Sequence, residues 1–173
     1  MRLRAVGALL LSMAVAGTAC TSEEESAPAP EEPSDPPSPE DAAEQSALEA
    51  YEGMWEIVVE ASHEGDPDPD ALEAYASGEA LDLTQHMLAG AVEDGVEVEG
   101  EPEFAPEVVE VSPEGDPDTV TILDCVDDSE WVEHGGGSDG EPESGDRQVD
   151  ATVSDDSLSW KVEDLRLWER GSC

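Results

Sequence analysis

The hydrophobic pattern of this chain changes its period near Val96, and this change constrains the fold more than any other feature. Before Val96, apolar residues recur at helical spacing, and after it they alternate with polar residues. The second half also carries the β-branched residues and turn signals that are typical of strands. Helices followed by strands predict an α+β domain, in which helices pack on an antiparallel sheet.

Three helices are predicted before Val96. The first runs from about 39 to 62, because Ser38-Pro39-Glu40-Asp41 has the pattern of a capped start. Its apolar stripe contains Leu48, Tyr51, Trp55, Val58 and Val59. A second, short helix is predicted from an Asp70 capping box to about Ser77, where Gly78 breaks it. The third is marked by apolar residues from Leu81 onwards and ends near Gly95.

Five apolar or β-branched runs after the third helix predict strands. They cover residues 96–98, 108–111, 119–126, 149–153 and 158–168. Turn-forming residues at 112–118 and 154–157 separate neighbouring runs. The glycine-rich, acidic stretch 127–146 predicts a long loop, and residues 41–173 are long enough for one domain.

The N-terminus has the build of a secretory signal peptide over residues 1–19, with two arginines, an apolar run and small residues. The small residues directly before Cys20 resemble the lipobox of bacterial lipoproteins, although Gly17 departs from its commonest pattern. The resemblance implies cleavage before Cys20 and a diacylglycerol on its sulfur, which anchors the protein to the outer face of the membrane. Plain secretion, with Cys20 left as a free thiol or as half of a disulfide, is the alternative.

Residues 20–40 follow as a linker of Pro, Ser, Ala and acids. The stretch contains no aromatic and no large aliphatic residue, so it cannot bury enough surface to offset the entropy of ordering. An extended, disordered tether between the lipid and the domain is therefore expected.

Charge excludes one class of partner. The chain has 46 acidic and 6 basic residues, and after loss of the signal only Arg147, Lys161, Arg166 and Arg170 oppose all 46 acids, a formal charge of −42. Such a surface repels nucleic acid and anionic headgroups. Adaptation to a salty medium explains acids spread along the whole chain; a cation-collecting surface is the alternative.

Cys125 and Cys173 are the two cysteines that remain once Cys20 carries lipid. An even pair in an oxidising compartment predicts a disulfide between them. A reactive or metal-binding thiol is the alternative, but no histidine or further cysteine stands at suitable spacing.

The order of elements resembles the NTF2-like, or cystatin-like, cone fold that small actinobacterial lipoproteins commonly carry. The matching segments are the Tyr51–Trp55 helix, Asp124-Cys125-Val126-Asp127, Trp160-Lys161-Val162 and Gly171-Ser172-Cys173. The resemblance implies a strongly bent sheet around a pocket. Enzymes of this family, such as ketosteroid isomerases, place acids inside the cone.

Four residues are candidates for lining such a pocket: Asp124, Tyr51, Trp55 and Trp160. Strand alternation puts Asp124 on the sheet face opposite Cys125. The simplest interpretation of Asp124 is an acid at a strand end or turn, and the alternative is a pocket carboxylate. The tryptophans are expected to form core and cover rather than a ligand cage.

Three further motifs are better explained without chemistry. Residues His134 to Gly140 contain an HGGG string that overlaps a Gly-x-Ser-x-Gly string, and both resemble elements of α/β-hydrolases. No helix follows them, however, so they cannot form a nucleophile elbow. Asp66, Asp68 and Asp70 begin like a calcium loop that then lacks the required Gly and Glu. His63 and His86 have no nucleophile at readable spacing.

These observations favour a lipid-anchored extracytoplasmic protein that displays a non-enzymatic binding or scaffold domain for a protein partner or a small apolar ligand. An NTF2-like isomerase or hydratase that uses a pocket carboxylate is one alternative. A purely structural envelope lipoprotein is another. The sequence indicates neither a cofactor nor a defined metal site.

Overall fold

The structure is a computed structural model, and it describes residues 36–65, 68–135 and 146–173. The predicted signal peptide, Cys20 and the tether up to residue 35 lie outside the described residues. So do Asp66, Pro67 and the 136–145 part of the glycine-rich stretch. Residues 36–173 form one compact unit.

In the part of the chain that the structure describes, three helices open the domain, as the periodicity predicts: α1 (Pro39–Glu64), α2 (Pro69–Leu72) and α3 (Gly78–Asp94). The capping box of α1 is present, since Ser38 and Asp41 each bond to the other's backbone N–H. Gly65 and Gly95 end α1 and α3 in the left-handed conformation that glycine adopts most readily.

Three details of the helix prediction are wrong. The side chain that caps α2 belongs to Asp68 and not to Asp70, and α2 ends after one turn rather than near Ser77. Gly78 does not separate two helices but is the first residue of α3, with φ of 53°. The segment between α2 and α3 is not helical because its backbone bonds to the sheet instead. Ser77 N–H donates to the Val162 carbonyl, and Val162 N–H donates to the Tyr75 carbonyl.

Six strands follow within the described residues, and four of them form the main sheet. These four are β2 (Glu107–Ser112), β3 (Thr119–Val126), β5 (Arg147–Asp155) and β6 (Trp160–Arg170), in the order β2-β3-β5-β6 with every pair antiparallel. Register shifts in β2 and between β5 and β6 mark bulges, which bend a sheet. Helices followed by this sheet make the domain α+β, which confirms the predicted fold class.

The other two strands, β1 (Glu97–Glu99) and β4 (Val132–His134), pair with each other in a separate small sheet. Strand β4 lies inside the stretch 127–146, which is predicted to be a long loop. That prediction is wrong for residues 132–134, because pairing with β1 satisfies the backbone of a segment too polar to show a strand pattern.

The core lies between the helices and one face of the main sheet. Helix α1 contacts all four main strands, and α3 packs on β6. The buried side chains include Tyr51, Met54 and Val58 of α1, and Val120, Ile122, Val149 and Val162 of the sheet. Leu158, predicted to lie in the last strand, instead stands 93% exposed in the β5–β6 turn, where Asp156 accepts bonds from two backbone N–H groups.

The predicted disulfide is present and joins Cys125 of β3 to Cys173, just beyond β6. It links strands that are not neighbours in the sheet, since β5 lies between them. Among the described residues, no helix is both long and apolar enough to cross a membrane.

Candidate functional site

Asp124 occupies the helix-facing side of β3, opposite the exposed Cys125, as strand alternation predicts. It is 3% exposed, and α1 covers it. The interpretation of Asp124 as a strand-end or turn acid is therefore wrong: two further strand residues follow it, and its side chain points into the core. Burying a carboxylate is costly unless hydrogen bonds replace the lost water.

Both oxygens of Asp124 have such partners. Tyr51 Oη donates to Oδ2 at 2.9 Å, and the Ala105 backbone N–H donates to Oδ1 at 2.8 Å. Burial, together with the nearby carboxylate, raises the pKa of Tyr51 far above its ordinary value. Tyr51 therefore stays protonated as a donor at any ordinary pH, and the pair ties α1 to β3.

Trp55 stands one helical turn beyond Tyr51 and is equally buried. Its ring meets Tyr51 edge-on at 6.3 Å and Phe104 at 5.2 Å between centroids. The indole N–H is near enough to lower the pKa of Tyr51 slightly, yet it makes no aligned hydrogen bond. Three of the four predicted pocket residues thus converge.

Trp160, the fourth candidate, does not join them. It begins β6 and pairs with Asp155, whereas the residue of β6 in line with Asp124 is Leu167. Seven strand positions separate Trp160 from Leu167, a distance of about 23 Å. Trp160 packs against the far end of the core and serves as cover.

A cleft of about 650 Å³ opens beside this cluster, along the outer side of α1. Two stripes of α1 face it: Glu52, Glu56 and Glu60 form one, and Trp55, Val59 and His63 form the other. Each stripe advances by four residues, so both follow the same side of the helix over three turns. The glutamates are exposed, while Trp55 is buried at the base.

The opposite wall of the cleft is the segment between β1 and β2, which provides Glu101, Pro102 and Phe104. This segment has no regular structure, but the backbone of Glu103 pairs with Asp127 at 2.9 and 3.0 Å. The Ala105 bond to Asp124 fixes its far end. Asp124 therefore holds both walls of the cleft in place without lining it.

Gly100 and His63 fix the near end of that wall. Gly100 has a φ of 80°, and a Cβ there would collide with the carbonyl oxygen of Glu130. A ring nitrogen of His63, Nε2, lies 2.7 Å from the Gly100 carbonyl oxygen and donates to it. His63 thus connects the end of α1 to the opposite wall of the cleft, and its role there is structural.

Two smaller spaces lie behind the cleft. A cavity of about 30 Å³ is enclosed between Trp55, Phe104, Trp131 and Arg147, too small for anything beyond a water molecule. A groove of about 280 Å³ runs between α1, α3 and the small sheet, with Val58, Leu88 and Val98 among its residues. Most of the space between α1 and the main sheet is filled by the protein's own side chains.

Asp128 forms ion pairs with Arg147 and Arg170, two of the four basic residues that follow the predicted signal peptide. Its carboxylate is 8% exposed; Arg170 donates from Nε and Nη2 at 2.9 Å each, and Arg147 Nε lies 3.1 Å away without hydrogen-bond alignment. On the outer face of the sheet, the Arg166 guanidinium stacks 3.6 Å from the centre of the Trp168 ring.

The remaining motifs gain no chemistry from the structure. His86 is exposed on α3, and Ser138 with its neighbours falls outside the described residues. Within the described part of the chain, no group of three or more metal-ligating side chains converges.

The cleft was not predicted from the sequence, where only the apolar stripe of α1 is singled out. The signal was present in the spacing of Glu52, Glu56 and Glu60 beside Trp55 and Val59. Glu101, Pro102 and Phe104 gave no signal, since they stand in a segment without periodicity.

No known protein family and no curated protein matches the sequence of this chain. Among solved structures, the chain is similar to the intermembrane space region of the chloroplast protein ARC6, with a TM-score of 0.46 and 13% identity. That similarity covers 71% of this chain and 94% of the ARC6 region.

Proposed function

We propose that this protein is a lipid-anchored extracytoplasmic domain that binds a partner in the cleft beside α1 and does not catalyse a reaction. Cys20 carries the lipid, residues 20–40 act as the tether, and the acidic domain stands off the outer face of the membrane. The cleft is the observation that carries the proposal. It is the largest of the three concave spaces described above, and its floor is apolar.

The disulfide supports the extracytoplasmic location. Disulfides persist in oxidising compartments and are rare in the cytosol, and Cys125 and Cys173 are bonded in this fold. The signal-like residues 1–19 and the small residues before Cys20 support export and lipid attachment independently.

The burial and hydrogen bonding of Asp124 favour a binding role over the isomerase or hydratase alternative. A general acid or base must reach the proton that it transfers, either directly or through one water. Asp124 is buried, its two oxygens are engaged by Tyr51 and Ala105, and none of the three spaces described above is lined by it.

The anchor is tested by mass spectrometry of the mature N-terminus and by partition between detergent and aqueous phases. We expect a diacylated Cys20 in the detergent phase, and we expect the Cys20→Ala variant in the aqueous phase. An unmodified N-terminus in the aqueous phase would contradict the anchor.

The cleft is tested by photo-crosslinking in cells that make the protein naturally, with benzoylphenylalanine in place of Val59. Benzoylphenylalanine in place of Asp82, which is exposed on α3, is the matched control. We expect one discrete adduct from position 59 and none from position 82. Identical adduct patterns from the two positions, or no adduct from either, would contradict a binding role for the cleft.

A further inference from the structure

We propose that the cleft beside α1 takes a short, extended, cationic segment of a partner protein, in which apolar side chains alternate with lysine or arginine. This inference rests on the proposed function, because it names the chemistry of the partner at the same site. It is carried by the floor, the rim and the dimensions of the cleft.

The floor supplies apolar contact through the half-buried Phe104 and Val59, whereas Trp55 is 4% exposed and Pro102 is buried. Trp55 and Phe104 lie with their ring centroids 5.2 Å apart, Pro102 is buried beside them, and Val59 continues the surface towards the end of α1. Apolar side chains that leave water on such a surface gain about 25 cal/mol per Å². An acidic surface adapted to salt explains exposed glutamates anywhere on this chain, but it does not explain an apolar floor beneath them.

The rim supplies charge of one sign. Glu52, Glu56 and Glu60 follow one wall and Glu101 stands on the other, whereas the cleft has no lysine or arginine among its described lining residues. Like charges four residues apart on a helix repel one another and destabilise it. The compensating positive charges must therefore come from solution or from whatever occupies the cleft.

The dimensions favour an extended chain over a helix. From Glu52 to His63 the wall of α1 advances about 17 Å, at about 1.5 Å per residue. A volume of about 650 Å³ over that length leaves a cross-section of about 40 Å². A helix with side chains is about 10–12 Å across and would stand largely outside this space, whereas about five extended residues cover the same length within it.

Alternation follows from that geometry. Successive side chains of an extended segment point to opposite sides, so residues facing the floor alternate with residues facing away from it towards the rim. Apolar side chains then meet Trp55 and Phe104, while the cationic side chains reach the glutamates.

The protein's own chain does not suit the cleft. Residues 21–35 contain six acids and no lysine or arginine, and a second copy of the mature chain carries the same formal charge of −42. Both would bring negative charge against the glutamate rim. The occupant is therefore a separate molecule of opposite charge.

The test uses the full mature chain with Cys20→Ser and a fluorescent Lys-Phe-Lys-Leu-Lys peptide, measured by anisotropy at 0.15 M salt. Glu-Phe-Glu-Leu-Glu and Lys-Ser-Lys-Ser-Lys are the comparison peptides. We expect the first peptide to bind at least about tenfold more tightly than either comparison peptide, since both charge and apolar contact contribute.

Variants locate the binding. The Glu52→Gln, Glu56→Gln, Glu60→Gln triple variant should weaken binding about tenfold, because it removes three exposed ion pairs that each contribute modestly. Asp82→Asn, Glu93→Gln, Glu110→Gln removes the same charge from exposed sites elsewhere and should change binding less than twofold. Phe104→Ala should also weaken binding, whereas Leu158→Ala, at the exposed turn, should not.

Three results would overturn the inference: no binding, equal losses in the two triple variants, or equal binding of the serine-containing peptide. A discrete crosslink from position 59 together with failure of the peptide would overturn the cationic segment while leaving the proposed function intact. Failure of the crosslink and the peptide together would overturn both.

Discussion

Tyr51 Oη lies 2.9 Å from Asp124 Oδ2 and donates a hydrogen bond to it across 73 positions of the chain. Asp124 also accepts from Ala105 on the wall of the cleft, so one buried carboxylate connects α1, β3 and that wall. Asp124 therefore has a structural role, because its hydrogen bonds hold these three segments together.

Tyr51→Phe should destabilise the protein by about 1–3 kcal/mol, because it removes one of two donors from a buried carboxylate. Tyr75→Phe, at the partly exposed second tyrosine, should cost less than about 0.5 kcal/mol. Urea unfolding measures both. In a double-mutant cycle with Asp124→Asn, the two changes should be coupled by at least about 0.5 kcal/mol. Additive effects would show that the bond contributes nothing.

Alkaline pH should separate the wild type from Tyr51→Phe. The raised pKa of Tyr51 means that the folded protein holds this proton more tightly than the unfolded chain, whose tyrosines titrate near pH 10. The contribution of this pKa difference to the free energy of unfolding is complete below about pH 10. Above that pH it falls by about 1.4 kcal/mol per pH unit. The stability gap between the two proteins should therefore shrink between pH 10 and 11. A constant gap across pH 8–11 would refute the assignment.

Asp128→Asn should destabilise the fold by about 3 kcal/mol. The change removes the buried carboxylate shared by Arg147 and Arg170, and breaking a buried ion pair costs about 3–5 kcal/mol. The partial exposure of both arginines places the estimate at the lower end. Asp116→Asn, in the exposed β2–β3 turn, removes the same charge and should shift stability by less than about 0.5 kcal/mol. Equal effects in chemical denaturation would mean that Asp128 acts only through net charge.

Salt should stabilise the domain. A formal charge of −42 on the mature chain destabilises the compact state by self-repulsion, and the Debye length falls from about 30 Å at 0.01 M salt to about 3 Å at 1 M. The melting temperature should therefore rise clearly across that range of sodium chloride. A flat profile, measured by circular dichroism, would show that the acids are too far apart to repel one another.

Local structure was largely readable from the residues. The capped start at Ser38, the end of α3 at Gly95 and the bounds of β3 all matched their predictions, because each depends on a few neighbouring residues. The two failures have different causes, one local and one long-range. Asp68 rather than Asp70 caps α2, and β4 forms from polar residues only because β1 is available to pair with it.

The candidate site was readable only in part. Tyr51 and Trp55 were singled out by the helical stripe, and Asp124 by alternation along β3. Trp160 was placed with them because a strand pattern gives the face of a residue but not its distance along the sheet. The cleft depends on residues 100–106, where no periodic pattern exists from which to predict a contact.

The sequence alone determined the α+β class, the succession of helices and strands, and the pairing of Cys125 with Cys173. The first two follow from periodicity and capping chemistry, and the pairing follows from the expectation that Cys20 carries lipid, which leaves two cysteines. Only the tertiary structure decided that Asp124 meets Tyr51, that Asp128 gathers two arginines, and that an aperiodic segment stands opposite α1 to form a cleft. Such contacts depend on strand register and on long-range packing, which a pattern of neighbouring residues does not encode.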